Sequence, residues 1–374
     1  MKTIAFWCMT SLLLVLAGGC SMSDKILQEP HFPENNYLLR IAYGSCNNHK
    51  KSQAYWKNIA EYFGDEHVGY PAVWIWAGDI VYADTESHAE LEAAYEVVKN
   101  SAYRNFVQGC EKTNCRIVGV WDDHDFGDNN LVGDLGPNPP ADSPFKKITK
   151  PQRKSLLVDF LGEPTRSKVA DHEQVYAAYD FEHDGVSIRL ILLDLRYDRQ
   201  KRGEDAKIMG RAQWDWLQEN LKDEGVDLHL IVSSTQVLRE DIRKDTWAEY
   251  PKQRDKLLKL IGDSPAQGIV LLTGDIHAAE ISRFGDAGEA RYGIDFPLYE
   301  ITASGLNRLR CFLSICSYNW ENSYQEGIVK KHNFGEIDIA KSDDGTLRLV
   351  ATLRSPESPQ AEVLLQKNIQ FAPR

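Results

Sequence analysis

The stretch Ala72-Val73-Trp74-Ile75-Trp76-Ala77-Gly78-Asp79-Ile80-Val81-Tyr82 carries the reading of the fold. Its first six residues are apolar without alternation and of strand length, which suits a strand buried on both faces. The run stops at Gly78, where a backbone free of a Cβ can turn sharply, and Asp79 is delivered at the strand tip. Three residues on, Tyr82 can swing to the same side. By itself, Gly-Asp after a strand is also an ordinary turn.

The same design recurs along the chain. Further buried-strand candidates lie at 39–43, 116–121, 186–194, 228–233 and 268–273, with helix candidates at 52–63, 88–98, 151–161, 212–221 and 252–261. Strands alternating with helices predict an α/β core with largely parallel strands. In such sheets ligands bind beyond the carboxyl ends of the strands, so the residues at the tips are the ones to inspect.

Four tips carry polar clusters. Gly44-Ser45-Cys46 follows the first strand; a lone Cys there is more often a small buried hydrophobe than a ligand. Gly78-Asp79 with Tyr82 follows the second, where a carboxylate can bridge two cations and a phenolate suits ferric iron. Trp121-Asp122-Asp123-His124-Asp125-Phe126 follows the third. Burying those carboxylates between two aromatic residues without compensation would be unfavourable, which favours a cation over a solvated acidic loop. Thr273-Gly274-Asp275-Ile276-His277 follows the last, and residues two apart on extended chain point to one side. Two more ends, Asp194 with Arg196 and Ser233-Ser234-Thr235-Gln236, are candidates for support; Arg196 suits bidentate phosphate recognition.

Composition sets bounds on these tips. The 374 residues carry a formal net charge of −12, which argues against a nucleic-acid polymer as partner, since that binding leans on Lys and Arg. A small phosphoester remains compatible, because a bound metal offsets its charge locally. Lys2, an apolar run over 4–16 and Ala17-Gly18-Gly19-Cys20 have the form of a secretory signal, with Cys20 placed as in a lipobox. The run is shorter than the ~20 residues that span a bilayer. The expected organisation is a signal at 1–19, a tether at 20–38 and one catalytic domain at 39–365. Export, a lipid on Cys20 and a periplasmic face of the outer membrane are expected. Cys110/Cys115 and Cys311/Cys316 share one spacing and are candidates for two small disulfide loops, with free thiols as the alternative. A long loop at 127–144 interrupts the rhythm, and 334–339 and 346–353 flank the turn Asp343-Asp344-Gly345, a hairpin signal.

Taken in order, Gly44-Ser45-Cys46, Gly78-Asp79-Ile80-Val81-Tyr82, Trp121-Asp122-Asp123-His124-Asp125, Leu193-Asp194-Leu195-Arg196-Tyr197 and Gly274-Asp275-Ile276-His277 resemble the alkaline phosphatase D family of the metallophosphoesterases. The resemblance implies a four-layer α-β-β-α sandwich with two facing mixed sheets. It implies two or more metal ions, Fe3+ with Ca2+. Carried onto this chain, Cys46, Asp79, Tyr82 and His277 would hold the first ion. Asp79 would bridge to the second, assisted by Asn129 and Asp275. His124, Asp123 and Arg196 would form the catalytic group beside the substrate. One departure stands out: Asp128, Asn129 and Asn130 occupy the place where the family has an Asn and an Asp.

The expected reaction is metal-dependent hydrolysis of a small phosphomonoester or phosphodiester. A membrane-proximal diester, such as a phospholipid head group, is the alternative within enzymes, and a non-catalytic metal-binding envelope lipoprotein is the alternative outside them. No Gly-x-Ser-x-Gly or His-Glu-x-x-His string is present, so Ser-His-Asp and zincin hydrolases fit worse.

Overall fold

A computed structural model describes residues 32, 36–64, 70–113, 115–136, 142–241, 245–310 and 322–373. The signal segment, most of the tether, part of the 127–144 loop and the Cys311/Cys316 pair lie outside the described residues. In chain order the strands are β1 (Tyr37–Gly44), β2 (Ala72–Ala77), β3 (Cys115–Val120), β4 (Ala177–His183), β5 (Val186–Leu192), β6 (Leu228–Ser233) and β7 (Gly268–Thr273). They continue as β8 (Ala279–Arg283), β9 (Tyr299–Ala303), β10 (Gln325–Val329), β11 (Phe334–Lys341), β12 (Leu347–Arg354) and β13 (Val363–Phe371). The helices are α1 (Tyr55–Gly64), α2 (His88–Val98), α3 (Ser101–Lys112), α4 (Asp123–Phe126), α5 (Lys150–Leu161), α6 (Thr165–Lys168), α7 (Arg211–Leu221), α8 (Pro251–Gly262) and α9 (Asp286–Tyr292).

The strands form two mixed sheets, ordered β13-β12-β11-β1-β2-β3 and β10-β8-β9-β7-β6-β5-β4. Strands β1, β2 and β3 are parallel, as are β5, β6, β7 and β9; the remaining strands join antiparallel. The largely parallel core expected from the helix–strand alternation is therefore one end of the six-stranded sheet and the centre of the seven-stranded one. Antiparallel strands complete both sheets, among them the expected hairpin of β11 and β12 about Asp343-Asp344-Gly345.

Residues of β2 are buried on both faces, and the alternation of a strand assigns each face a neighbour. Trp74 and Trp76 point one way, into the helical layer, where Trp56 of α1 lies 5.0 and 5.2 Å from their rings. Phe106 of α3 completes the cluster 5.5 Å from Trp74. Val73 and Ile75 point the other way, between the sheets. There the Tyr43 hydroxyl donates to the Ile301 carbonyl at 2.8 Å, tying β1 of one sheet to β9 of the other. With helices outside two facing sheets, the arrangement is the four-layer sandwich that the resemblance implied.

One local pairing matters most for the site. Beyond β1 and β9, Ser45 and Ser304 form a parallel bridge. The carboxyl ends of the parallel strands of both sheets thereby meet at one end of the molecule. Of the local cysteine pairs, Cys110 and Cys115 are disulfide-bonded, stapling the end of α3 to β3, while Cys46 is free and buried.

Candidate active site

Strand tips from both sheets converge, and the backbone there is unusual. Cys46, Asp79, Asp275 and His277 have φ values of 60°, 51°, 68° and 59°, and Asp84 and Asn130 follow at 48° and 56°. Non-glycine residues in this region are uncommon, and they concentrate where a fold holds a functional geometry against local preference. Two glycines permit the crowding. A Cβ on Gly78 would meet Asp122 Cβ at 2.7 Å, and one on Gly274 would meet Ser45 Oγ at 2.6 Å.

Around these tips two donor groups share one residue. Ligand atoms of Cys46, Asp79 and His277 lie within 4.8 Å of one another, as do those of Asp79, Asp122, Asp123 and Asp275. Tyr82 belongs with the first group, since its hydroxyl lies 2.7 Å from Asp79 Oδ2 and 2.9 Å from His277 Nε2. Asp79, Asp123 and His124 form a third overlapping set. Ser304 Oγ braces the first group from just beyond β9, 3.0 Å from Cys46 Sγ and accepting the His277 N–H at 2.8 Å.

The electrostatics of this cluster call for a countercharge. Burial, then repulsion from Asp123, Cys46 and Asp122, lifts the Asp79 carboxyl well above its ordinary range. Asp275 is raised by burial and by Asp245, Asp122 and Asp123. Burial pushes the Cys46 thiol up to about 11, and burial with Arg308 and Arg310 pushes the His277 imidazole down to about 3. Left to itself the cluster favours neutral forms, and a cation reverses that preference. One atom points the same way: among the described residues Asp122 Oδ2 is buried without a hydrogen-bond partner, while Oδ1 takes Arg196 at 2.5 Å and Ser234 at 2.7 Å. An orphaned carboxylate oxygen beside three other carboxylates fits a cation. The thiol, imidazole and phenol of the first group fit a transition metal.

Above the cluster opens a cavity of about 730 Å³, lined by Asp123, His124, Asp275 and His277 on one side and by Arg199, Arg202, Arg308 and Arg310 among others. His124 is buried against Asp84, whose carboxylate pairs with its Nδ1. Burial opposes protonation of His124, but the bond to Asp84 and the charge of Asp123 outweigh it and raise its pKa.

Seven of the nine expected site residues meet here: Cys46, Asp79, Tyr82, Asp123, His124, Asp275 and His277. Asn129 does not join the donor groups; it is exposed on the cavity rim, and the neighbouring Asn130 N–H binds Asp123 Oδ2 at 2.6 Å. Arg196 is also elsewhere than expected. It is fully buried behind the carboxylates, paired with Asp122 and, at 2.6 Å, with Asp245, so it holds Asp122 rather than facing the cavity. Asp194 accepts from Trp121 at 2.8 Å and from the Arg196 N–H at 2.9 Å, which is structural work. Ser304, Asp84 and Asp245 carried no signal in the sequence reading. Asp122 stood in the quoted acidic motif without a role.

The sequence pattern of the PhoD-like phosphatases matches residues 41–345, most of the chain. The chain belongs to the PhoD-like phosphatase family. Alkaline phosphatase D of Bacillus subtilis (strain 168) is 24% identical over 118 residues, 28% of this chain and 20% of that protein. The matched part thus spans about a fifth of the curated relative's length. The solved structure of PhoD superposes with a TM-score of 0.63 at 14% identity, covering 90% of this chain and 70% of that one. GAP50, the anchor in the inner membrane complex of Plasmodium, shares the fold at a TM-score of 0.51 and 14% identity, covering 90% of each chain. Membership in this phosphatase family and the donor set agree on metal dependence.

Proposed function

We propose that this PhoD-like chain hydrolyses small phosphoesters at the junction of the two sheets, using two cations that share Asp79. The observation that carries the reading is the position of Asp79, common to a Cys-Tyr-His group and to an all-carboxylate group. Cys46, Tyr82 and His277 with Asp79 would hold Fe3+, and Asp79, Asp122, Asp123 and Asp275 would hold Ca2+, which prefers oxygen ligands. Once bound, such ions supply a nucleophile at neutral pH and neutralise charge on the phosphoryl oxygens.

The chain's own residues do the rest. Asp84 holds Nδ1 of His124, which leaves Nε2 to donate a proton to the departing oxygen. Arg196 and Ser234 fix Oδ1 of Asp122, so its other oxygen stays aimed at the cluster. A cavity of about 730 Å³ is within the range of small-ligand sites. The net charge of −12 again disfavours a nucleic-acid polymer. The signal-like segment and Cys20 support an exported protein anchored by lipid to the outer membrane on its periplasmic face, and that tether favours membrane-proximal diesters as a second reading.

Elemental analysis of purified protein, paired with hydrolysis of a chromogenic monoester and a matching diester with and without chelator, tests the proposal. Iron and calcium in stoichiometric amount, with activity lost on chelation, is the expected result. Folded protein that takes up neither ion and turns over neither ester would leave a binding lipoprotein instead. The monoester-to-diester rate ratio decides between the two substrate readings.

A further inference from the structure

Two of the four arginines that line the cavity, Arg199 and Arg202, are committed to carboxylates. Arg196 serves Asp122 and Asp245, Arg199 serves Asp245, and Arg202 pairs with Glu249 at 2.6 Å. Arg308, in the segment that follows β9, lines the cavity beside Asp275 and His277 and has no carboxylate or hydrogen-bond partner among the described residues. Its guanidinium carbon lies 4.0 Å from the centre of the Tyr82 ring. A guanidinium held over an aromatic face keeps its N–H edge free, and that edge matches two phosphoryl oxygens at once. It is half-buried and shares the cavity wall with His124 and His277.

From this geometry we infer that Arg308 grips the phosphoryl group of the substrate, the role that the strand-end position had given to Arg196. The inference rests on the phosphoesterase reading of the site. A phosphate dianion approaching a cavity floored by Asp79, Asp122, Asp123 and Asp275 meets repulsion that bound cations only partly offset, and an uncommitted guanidinium supplies the remaining attraction. Stacking on Tyr82 pins the side chain in place before substrate arrives, which lowers the entropy lost on binding. Because Tyr82 also belongs to the Cys-Tyr-His group, the grip and the first cation are held by one ring.

The test is binding of inorganic phosphate to metal-loaded protein, by calorimetry and as competitive inhibition of ester hydrolysis, in the wild type, Arg308→Ala and Arg308→Lys. A charged hydrogen-bonding pair of this kind predicts phosphate binding weakened about 10- to 100-fold in Arg308→Ala, with Arg308→Lys in between. Metal content and melting temperature should stay near wild type, which separates the grip from a structural role. Unchanged phosphate affinity in either metal-loaded variant, or a wild type that binds no phosphate, overturns the inference. Phosphate binding that depends on Arg308 in a protein that turns over no ester would uphold the grip and sink the hydrolase reading. If Arg308→Ala fails to fold, Arg308→Lys decides alone, since it keeps the charge but loses the two-pronged geometry.

Discussion

The Tyr82 hydroxyl donates to Asp79 Oδ2 at 2.7 Å, because the left-handed backbone at Asp79 folds the chain back within three residues. The pair joins the two donor groups at one carboxylate, so the two residues should fail differently. Asp79→Asn is expected to lose both ions and essentially all activity. Tyr82→Phe should keep the calcium and weaken the iron by at least about tenfold, the lower edge for loss of even an outer partner of a metal ligand. Elemental analysis after dialysis reads both, and equal loss of the two ions in Tyr82→Phe would contradict the assignment.

His124 bound by Asp84 implies a proton donor whose value depends on the leaving group. His124→Ala should slow an alkyl phosphoester by about 10²- to 10⁴-fold and a nitrophenyl ester much less. Asp84→Asn should show the same ordering with smaller losses, since the imidazole remains but is no longer held. Steady-state rates across a leaving-group series check this, and equal losses throughout would remove His124 from the proton-transfer step.

Burying Arg196 against Asp122 and Asp245 predicts a stability effect larger than any on substrate affinity. Arg196→Met leaves Asp122 buried without its cation, while Asp245 keeps Arg199, and breaking such a pair costs about 3–5 kcal/mol. Urea unfolding should register that loss. A variant with wild-type stability and a raised KM would instead return Arg196 to the phosphate.

These residues also mark how far the sequence could be read. Strands β2, β6 and β7 coincide with the ranges expected from their mainly apolar runs, because each is buried on both faces. Strands β8 and β9 escaped notice because Glu280, Ser282 and Glu300 lie inside them fully buried; Glu300 answers the N–H groups of Val237 and Leu238, a contact invisible in one dimension. Edge strands β4 and β13 are partly exposed and read as polar. The site divides on the same physical line. Cys46, Asp79, Asp123, Asp275 and His277 sit at strand tips, where local geometry dictates direction. Whether Arg196 or Arg308 meets the cavity depends on which carboxylates are nearby in space. Asn129 and Asn130 differ only by how a loop turns.

His229 offers a test of the core that is remote in chemistry from the site. It lies fully buried in β6, and neither ring nitrogen has a hydrogen-bond partner among the described residues. Burial, aided by the nearby Arg189 cation, lowers its pKa from 6.5 to about 4, while Asp223 and Asp180 pull weakly the other way. Arg189 is itself paired with Asp180 at 2.6 Å and Asp223 at 2.8 Å, so those carboxylates are already engaged. The sign follows from which state takes the proton. Between pH 6.5 and 4 the unfolded chain binds it and the folded chain does not, so acidification through that window drains stability. The full drain is ~3 kcal/mol, complete near pH 4 and absent above the unfolded value. Buried carboxyls with raised values, such as Glu300 at about 8, change stability in the opposite sense, so the wild-type curve alone is not diagnostic. The difference between wild type and His229→Leu isolates the term. That variant should be more stable at neutral pH, because an unpaired polar ring is gone, and its advantage should widen by ~3 kcal/mol between pH 6.5 and 4. Denaturant unfolding at a series of pH values measures it, and a constant difference across the window would mean that the ring is protonated, or hydrated, in the folded state.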